Sequence, residues 1–370
     1  MGLHKVSAFI REKYSSLIHH EHLSLFAHER VFVDITSFLF KYVCINGSEN
    51  SVWINSFISL MLCFRKYGVY VVPVFDGKAP DAKAGEQQQR RDARAKSKER
   101  TQALKDALQS YECGDLSDDV ISLLIKEKMA LDKRDKMPSL LHPVVNQEKE
   151  EITPKDIKLL TAVVKALEKQ NSFLTYEDHQ FLRKLLTSVG IKWIQAPGES
   201  EAYCCWLVRN KYGSAVVSID TDCIAHRADI IIQEVDKNTG NITFLNVAEL
   251  MDAWKLNERQ LIDFGILVGC DYNPNSRVNG IGPSKAIQLL QKHERIEDIP
   301  GLVDVTVLKV DECRRLFDLP FTIDDVDLSA ATVNETVMKE CLKERDGIKV
   351  EPLMQLIKIH NTHVPIRERL

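Results

Sequence analysis

Four times along this 370-residue chain, a mostly apolar run rich in β-branched residues gives way to carboxylates and then to helix-forming sequence. "RVFVDI" (30–35) contains Asp34, and "GVYVVPVFDG" (68–77) reaches Asp76. "IKWIQ" (191–195) leads through Pro197 to Glu199 and Glu201, and "SAVVSID" (214–220) ends at Asp220 with Asp222 just beyond. Strands without polar alternation are covered on both faces. Alternating with helices, they predict an α/β fold: a mostly parallel central sheet flanked by helices. "DIIIQEV" (229–235) and "NITFL" (241–245) add two strands, and helices are expected at about 52–66 and 174–190. Pro73 is awkward inside a central strand.

The carboxyl ends of parallel strands gather on one edge of a sheet, where ligands bind. Asp34, Asp76, Glu199, Glu201, Asp220 and Asp222 would therefore meet in one crevice. Asp271 in "ILVGCDYNPN" follows an apolar helix-like run and can reach the same edge. Taken singly, an Asp after a strand serves equally well as the cap of the next helix. As a set, crowded carboxylates repel one another unless a cation neutralises them. Oxygen donors without His or Cys select Mg²⁺, with Mn²⁺ able to substitute. A pair of such ions is the usual clamp for in-line attack on a phosphodiester.

The totals narrow the setting. With 44% apolar residues the chain can bury a large core, and a net charge of −4 argues only weakly against nucleic-acid binding. Nine cysteines without a Cys-x-x-Cys pair exclude a disulfide framework or zinc site and fit a reducing, intracellular setting. The longest apolar run, "FISLMLCF" (57–64), is too short to cross a bilayer. The expectation is a soluble protein, neither secreted nor membrane-bound.

Charge is local, however. Between Lys83 and Lys105, eight basic residues face three acidic ones. The segment from 83 reads as a helix polar on all sides, one that projects into solvent, orders on a partner or is not stably helical. Lys83 and Arg90, nearest the crevice, would contact a scissile phosphate. Arg91, Arg94, Lys96 and Lys98 would track a nucleic-acid backbone. A solvated charged helix is the plain alternative. Residues 130–155 read as an irregular insert. Farther on, "GIGPSKAIQLLQKH" (280–293) opens a helix with Gly280 and Gly282, whose bare N–H groups suit a phosphate, and places Lys285 in the first turn.

In this order the pieces resemble the flap endonucleases, of the XPG-type family of structure-specific 5′ nucleases. The matching stretches are "MGLHKV", "VFVDITSFLF", "VFDGKAPDAKAGEQQQRR", "APGESEAYCCWLV", "VVSIDTDCIA" and "DFGILVGCDYNPNSRVNGIGPSKAIQLLQKH". The resemblance implies a PIN/5′-nuclease-like fold with a helical arch and a helix–two-turn–helix motif. It divides the single nuclease domain into an N-terminal nuclease region (1–100), an arch with insert (101–184) and an internal nuclease region (185–270). The helix–two-turn–helix region (271–320) and a C-terminal helical region (321–370) follow. It makes the seven carboxylates ligands of two metal ions, and Lys83 and Arg90 the pair that stabilises the transition state. Phe40 would stack on a base, Gly2 would lie at the active site, and a potassium ion in the helix–two-turn–helix motif would draw on Ser276 and Ile281. The implied substrate is DNA carrying a 5′ flap, a nick or another branch, cut in replication, repair or recombination.

Several features depart from the family pattern. The span from Asp76 to Glu199 is longer, as is the connection from Asp271 to Gly280. "AHR" (225–227) stands in place of the usual Phe-Gly region after Asp222. The C-terminal "HNTHVPIRERL" lacks a sliding-clamp motif. A monomeric, virus-encoded copy is compatible with this divergence, working in the nucleus or wherever viral or host DNA is replicated. Two other classes compete. A haloacid-dehalogenase-like phosphatase would use Asp220 as nucleophile and leave Asp34 and Asp76 idle. A non-catalytic DNA-structure-binding protein would not need every carboxylate.

Overall fold

Among the described residues, seven strands form one sheet: β1 (Ile18–His22), β2 (Arg30–Asp34), β3 (Tyr70–Phe75), β4 (Ile194–Gln195), β5 (Ala215–Val217), β6 (Ile230–Val235) and β7 (Asn241–Asn246). Their order is β1-β7-β6-β5-β2-β3-β4. The five from β6 to β4 run parallel, and β7 and β1 close one edge antiparallel. The computed structural model describes residues 2–48, 50–135 (132–135 as backbone only), 152–273, 278, 280–301, 308–318, 321 and 326–362.

The helices are α1 (Val6–Lys13), α2 (Ile35–Asn46), α3 (Val52–Lys66), α4 (Ala84–Glu112), α5 (Asp118–Asp135), α6 (Pro154–Gln170), α7 (Tyr176–Ser188) and α8 (Ser200–Arg209). After them come α9 (Asp222–Ala225), α10 (Val247–Trp254), α11 (Glu258–Val268), α12 (Pro283–Lys292), α13 (Val310–Phe317), α14 (Glu335–Glu344) and α15 (Val350–Thr362). The chain divides into two compact units. One holds Met1–Tyr42, Glu49–Gln88 and Leu174–Leu370; the other holds Val43–Ser48 and Gln89–Phe173.

In the first unit the central strands are buried as their composition requires, with Phe32, Val74, Val216 and Ile231 in one core with Leu207, Trp254 and Phe264. Pro73 is tolerated because β4 pairs only with Val74 and Phe75, so no ladder partner stands beside Pro73 on that side. Helix α7 starts at a capping box, where Thr175 and Asp178 satisfy each other's backbone N–H groups. Helix α8 packs on β2, β3 and β5, which sets its first turn against their carboxyl ends. Arg314 on α13 donates to both carboxylate oxygens of Asp263 on α11, at 2.7 Å each. No described helix is long and apolar enough to cross a membrane.

The second unit is helical. Its core comprises Leu104, Ala107, Leu108, Leu124, Leu160 and Val164, contributed by α4, α5 and α6. Here the structure departs from the polar-on-all-sides reading. The N-terminal half of α4 is polar, but Leu104, Ala107, Leu108 and Tyr111 form a stripe at helical spacing in its C-terminal half. Arg100 pairs with buried Glu127, and Lys105 with Glu168 at 2.8 Å. The segment read as irregular resolves into the end of α5 and the start of α6, with 136–151 outside the described residues.

Candidate active site

The site is built where strands end. Asp34 closes β2 and is buried. Its Oδ1 accepts from the Ser200 hydroxyl at 2.7 Å and its Oδ2 from the Ser218 hydroxyl at 2.8 Å. Asp76, just past β3, accepts from the Thr36 hydroxyl at 2.5 Å and from the Ser200 backbone N–H at 2.8 Å. Ser200 thus bonds both aspartates. Glu199 is the cap residue of α8 and Glu201 lies in its first turn, both buried. After β5, Asp220 turns back so that its Oδ1 accepts the Asp222 N–H at 2.9 Å. Asp271 lies beyond α11, buried as well.

The Lys83 ammonium serves this group. Lys83 is only 6% exposed, and its Nζ lies against Glu199 Oε1, 3.2 Å from Glu201 Oε1 and 3.3 Å from Asp271 Oδ2. Burial works against the ammonium charge, but Glu201 and Glu199 more than offset it and hold its pKa well above the ordinary value. One ammonium does not neutralise the set. Burial, reinforced by Asp76, pushes Asp34 up to about 6. Burial likewise drives Glu201 and Asp222 well above the carboxylate range, and raises Glu199 and Asp220.

Asp222 is the most telling member. It is fully buried, and neither carboxylate oxygen has a hydrogen-bond partner among the described residues. Such a carboxyl beside other carboxylates holds a proton, or bears charge at high cost, unless a cation joins it. No three acidic, His or Cys side chains among the described residues close on a common point at metal-binding distance. The all-oxygen donor set and the orphaned Asp222 oxygens nonetheless fit a hard divalent cation, with the Lys83 ammonium among three of its neighbours.

Gly2 packs on this loop: a Cβ there would lie 2.0 Å from Asp220 Oδ1, and its φ is +79°. Phe40 lies on α2, 44% exposed. Gly282 caps α12, Gly280 adopts φ +79° just before it, and Lys285 is exposed in the first turn. The Ile281 side chain is buried, and Ser276 falls outside the described residues. Arg90, half-buried, and Arg91 and Arg94, both exposed, lie on α4 within the second unit.

Sequence reasoning overlooked the groups that orient the acids: Thr36, Ser200, Ser218 and Tyr272. Tyr272 donates to Glu199 Oε2 at 2.9 Å. All four lie within a few residues of the carboxylates already noted, but nothing local marks a hydroxyl as a partner of an acid distant in sequence.

A mostly parallel sheet with this acidic edge, followed by α11 and, past Gly280 and Gly282, by α12, suits a nuclease that works with divalent metal. The XPG N-terminal domain matches residues 1–97 and the XPG I-region residues 190–271. A probable RAD2-like endonuclease of Invertebrate iridescent virus 6 is 24% identical, over 82% of this chain and 74% of its own length. Flap endonuclease 1 of Tetrahymena thermophila is 23% identical, over 91% and 77%. Among solved structures, flap endonuclease-1 from Methanococcus jannaschii shares the fold at a TM-score of 0.60, with 20% identity over 94% of this chain and 98% of that one. The chain thus carries an XPG-like N-terminal domain and I-region, and over most of its length it is similar to RAD2-like and flap endonucleases.

Proposed function

We propose that this protein hydrolyses phosphodiester bonds in DNA bearing 5′ flaps or related branches, with two Mg²⁺ ions held by Asp34, Asp76, Glu199, Glu201, Asp220, Asp222 and Asp271. The observation that carries the reading is the buried acidic edge with one ammonium and an orphaned Asp222. When bound, the ions supply an activated water and screen charge on the phosphate. Mn²⁺ is expected to substitute.

The chain's own groups do the rest. Ser200 and Ser218 fix the rotamer of Asp34, and Ser200 with Thr36 fixes Asp76. Lys83 holds positive charge at the acidic edge and, with Arg90, stabilises the phosphate as its charge grows. Gly2 leaves room for the Asp220 carboxylate. Phe40, exposed on α2, offers a face for a base; Arg91 and Arg94 meet the flap backbone. The N–H groups around Gly280 and Gly282, with Lys285, hold a duplex phosphate; Ile281 and Ser276, the latter outside the described residues, would be the ones to hold a potassium ion there. The protein works as a monomer at sites of viral or host DNA replication. A phosphatase using Asp220 would leave idle the hydroxyls that hold Asp34 and Asp76.

The test is a panel of 5′-labelled flap, nicked, bubble and four-way-junction DNAs with Mg²⁺ or EDTA. Flap cleavage that needs Mg²⁺ is expected. Cleavage surviving EDTA, or a phosphorylated Asp220, would overturn the reading.

A further inference from the structure

His226 lies just past the single turn of α9, with its backbone N–H donating to Asp222 O at 2.9 Å. The side chain is fully buried against the rings of Phe317, 4.9 Å away, and Tyr272, 6.4 Å away. An aromatic ring without polar atoms would fill this space equally well. What the imidazole adds is polarity. Its Nε2 lies 3.4 Å from the Tyr272 hydroxyl, which is itself 2.9 Å from Glu199 Oε2.

The protons along this chain can be counted. Glu199 Oε2 accepts from the Tyr272 hydroxyl, and its Oε1 lies against the Lys83 ammonium. The single phenol proton of Tyr272 therefore points to Glu199, leaving the phenol oxygen to accept from His226 Nε2–H. Bonds in such a chain polarise one another, so a donor behind Tyr272 strengthens its hold on Glu199. With Lys83 against Oε1 and Tyr272 on Oε2, these two side chains set the orientation in which Glu199 would meet a cation.

We propose that His226 is a positioning residue: through Tyr272 it locks the carboxylate of Glu199 in the orientation that receives the divalent cation. This rests on the metal reading above and concerns a residue that no comparison assigns a role.

The experiment measures Mn²⁺ binding to the full chain without DNA, by electron paramagnetic resonance, alongside melting curves. His226→Phe is expected to weaken Mn²⁺ affinity about tenfold, the usual scale for a group behind a metal ligand. His226→Gln, which keeps a donor near the Nε2 position, should restore most of it. Tyr272→Phe should weaken binding at least as much, and adding His226→Phe to it should cost nothing further. Wild-type affinity in His226→Phe, a Gln variant as weak as the Phe variant, or additive losses in the double variant would each overturn the proposal. If His226→Phe fails to fold, the Gln variant and the Tyr272 single variant still decide it: Gln affinity as low as that of Tyr272→Phe overturns it. A wild-type protein that holds no Mn²⁺ would instead remove the metal reading, and this inference with it.

Discussion

In the sheet-based unit, Lys83 meets Glu199, Glu201 and Asp271 with all four side chains almost wholly buried. In the helical unit, Lys105 meets Glu168 at 2.8 Å with about half of each side chain in water. The ionic chemistry is similar, but its consequences differ. Exposed pairs are screened and contribute little, so the helical unit depends on its small apolar core. Buried charges are held by the packing of distant segments, and their cost is relieved only by a counter-charge. The first unit therefore stores an unmet demand for cations, whereas in the second even buried Glu127 is met by Arg100.

Removing a carboxylate should separate the two units most sharply. Asp222→Ala is expected to slow flap cleavage about a thousandfold or more, the equivalent of the several kcal/mol a metal clamp supplies. Single-turnover rates check this, and unchanged cleavage would remove the metal mechanism. Leu104→Ala strikes the other unit. At a fully buried site in a small core it should destabilise that unit by about 3 kcal/mol. Limited proteolysis should then cut within 89–173 while Mn²⁺ binding stays as in wild type; a loss of both would mean that the units are not separable.

Gly2→Ala should lower cleavage about tenfold with little change in melting temperature, because its Cβ would displace the Asp220 carboxylate. Equal activity would show that the N-terminal segment yields freely. A pH series probes the cation demand itself. Asp34 binds its proton more tightly folded, at about 6 against 3.8 unfolded. Its contribution is thus fully present below 3.8 and is lost as pH rises through about 6. Without divalent metal, the melting temperature of the wild type should therefore fall more across this window than that of Asp34→Asn, and saturating Mg²⁺ should remove the difference. Lys105→Ala should have the smallest effect, below about 0.5 kcal/mol by denaturant unfolding. A larger loss would mean that the exposed pairs, too, carry structure.

Legibility followed the range of the interactions. Strands β2, β3, β5 and β6 were readable because burial on both faces demands an unbroken apolar run. Edge strand β1, "IHHEH", lies half in solvent and carries no such run; β4 shrinks to two residues. The core of the second unit escaped notice because its few apolar residues are shared among three helices, none apolar enough to signal alone.

The sequence by itself determined that carboxylates follow the strand ends, because an apolar run and the acid after it are neighbours in the chain. It also determined the glycines before α12, since a turn needs its residues locally. Only the tertiary structure decided that Lys83 faces Glu199, Glu201 and Asp271, that one serine bonds both Asp34 and Asp76, and that Asp222 is left without a partner. Those facts depend on which strands lie side by side and how α8 packs over them. Coulomb forces and hydrogen bonds act through space, and proximity in space is set by the packing of the whole sheet.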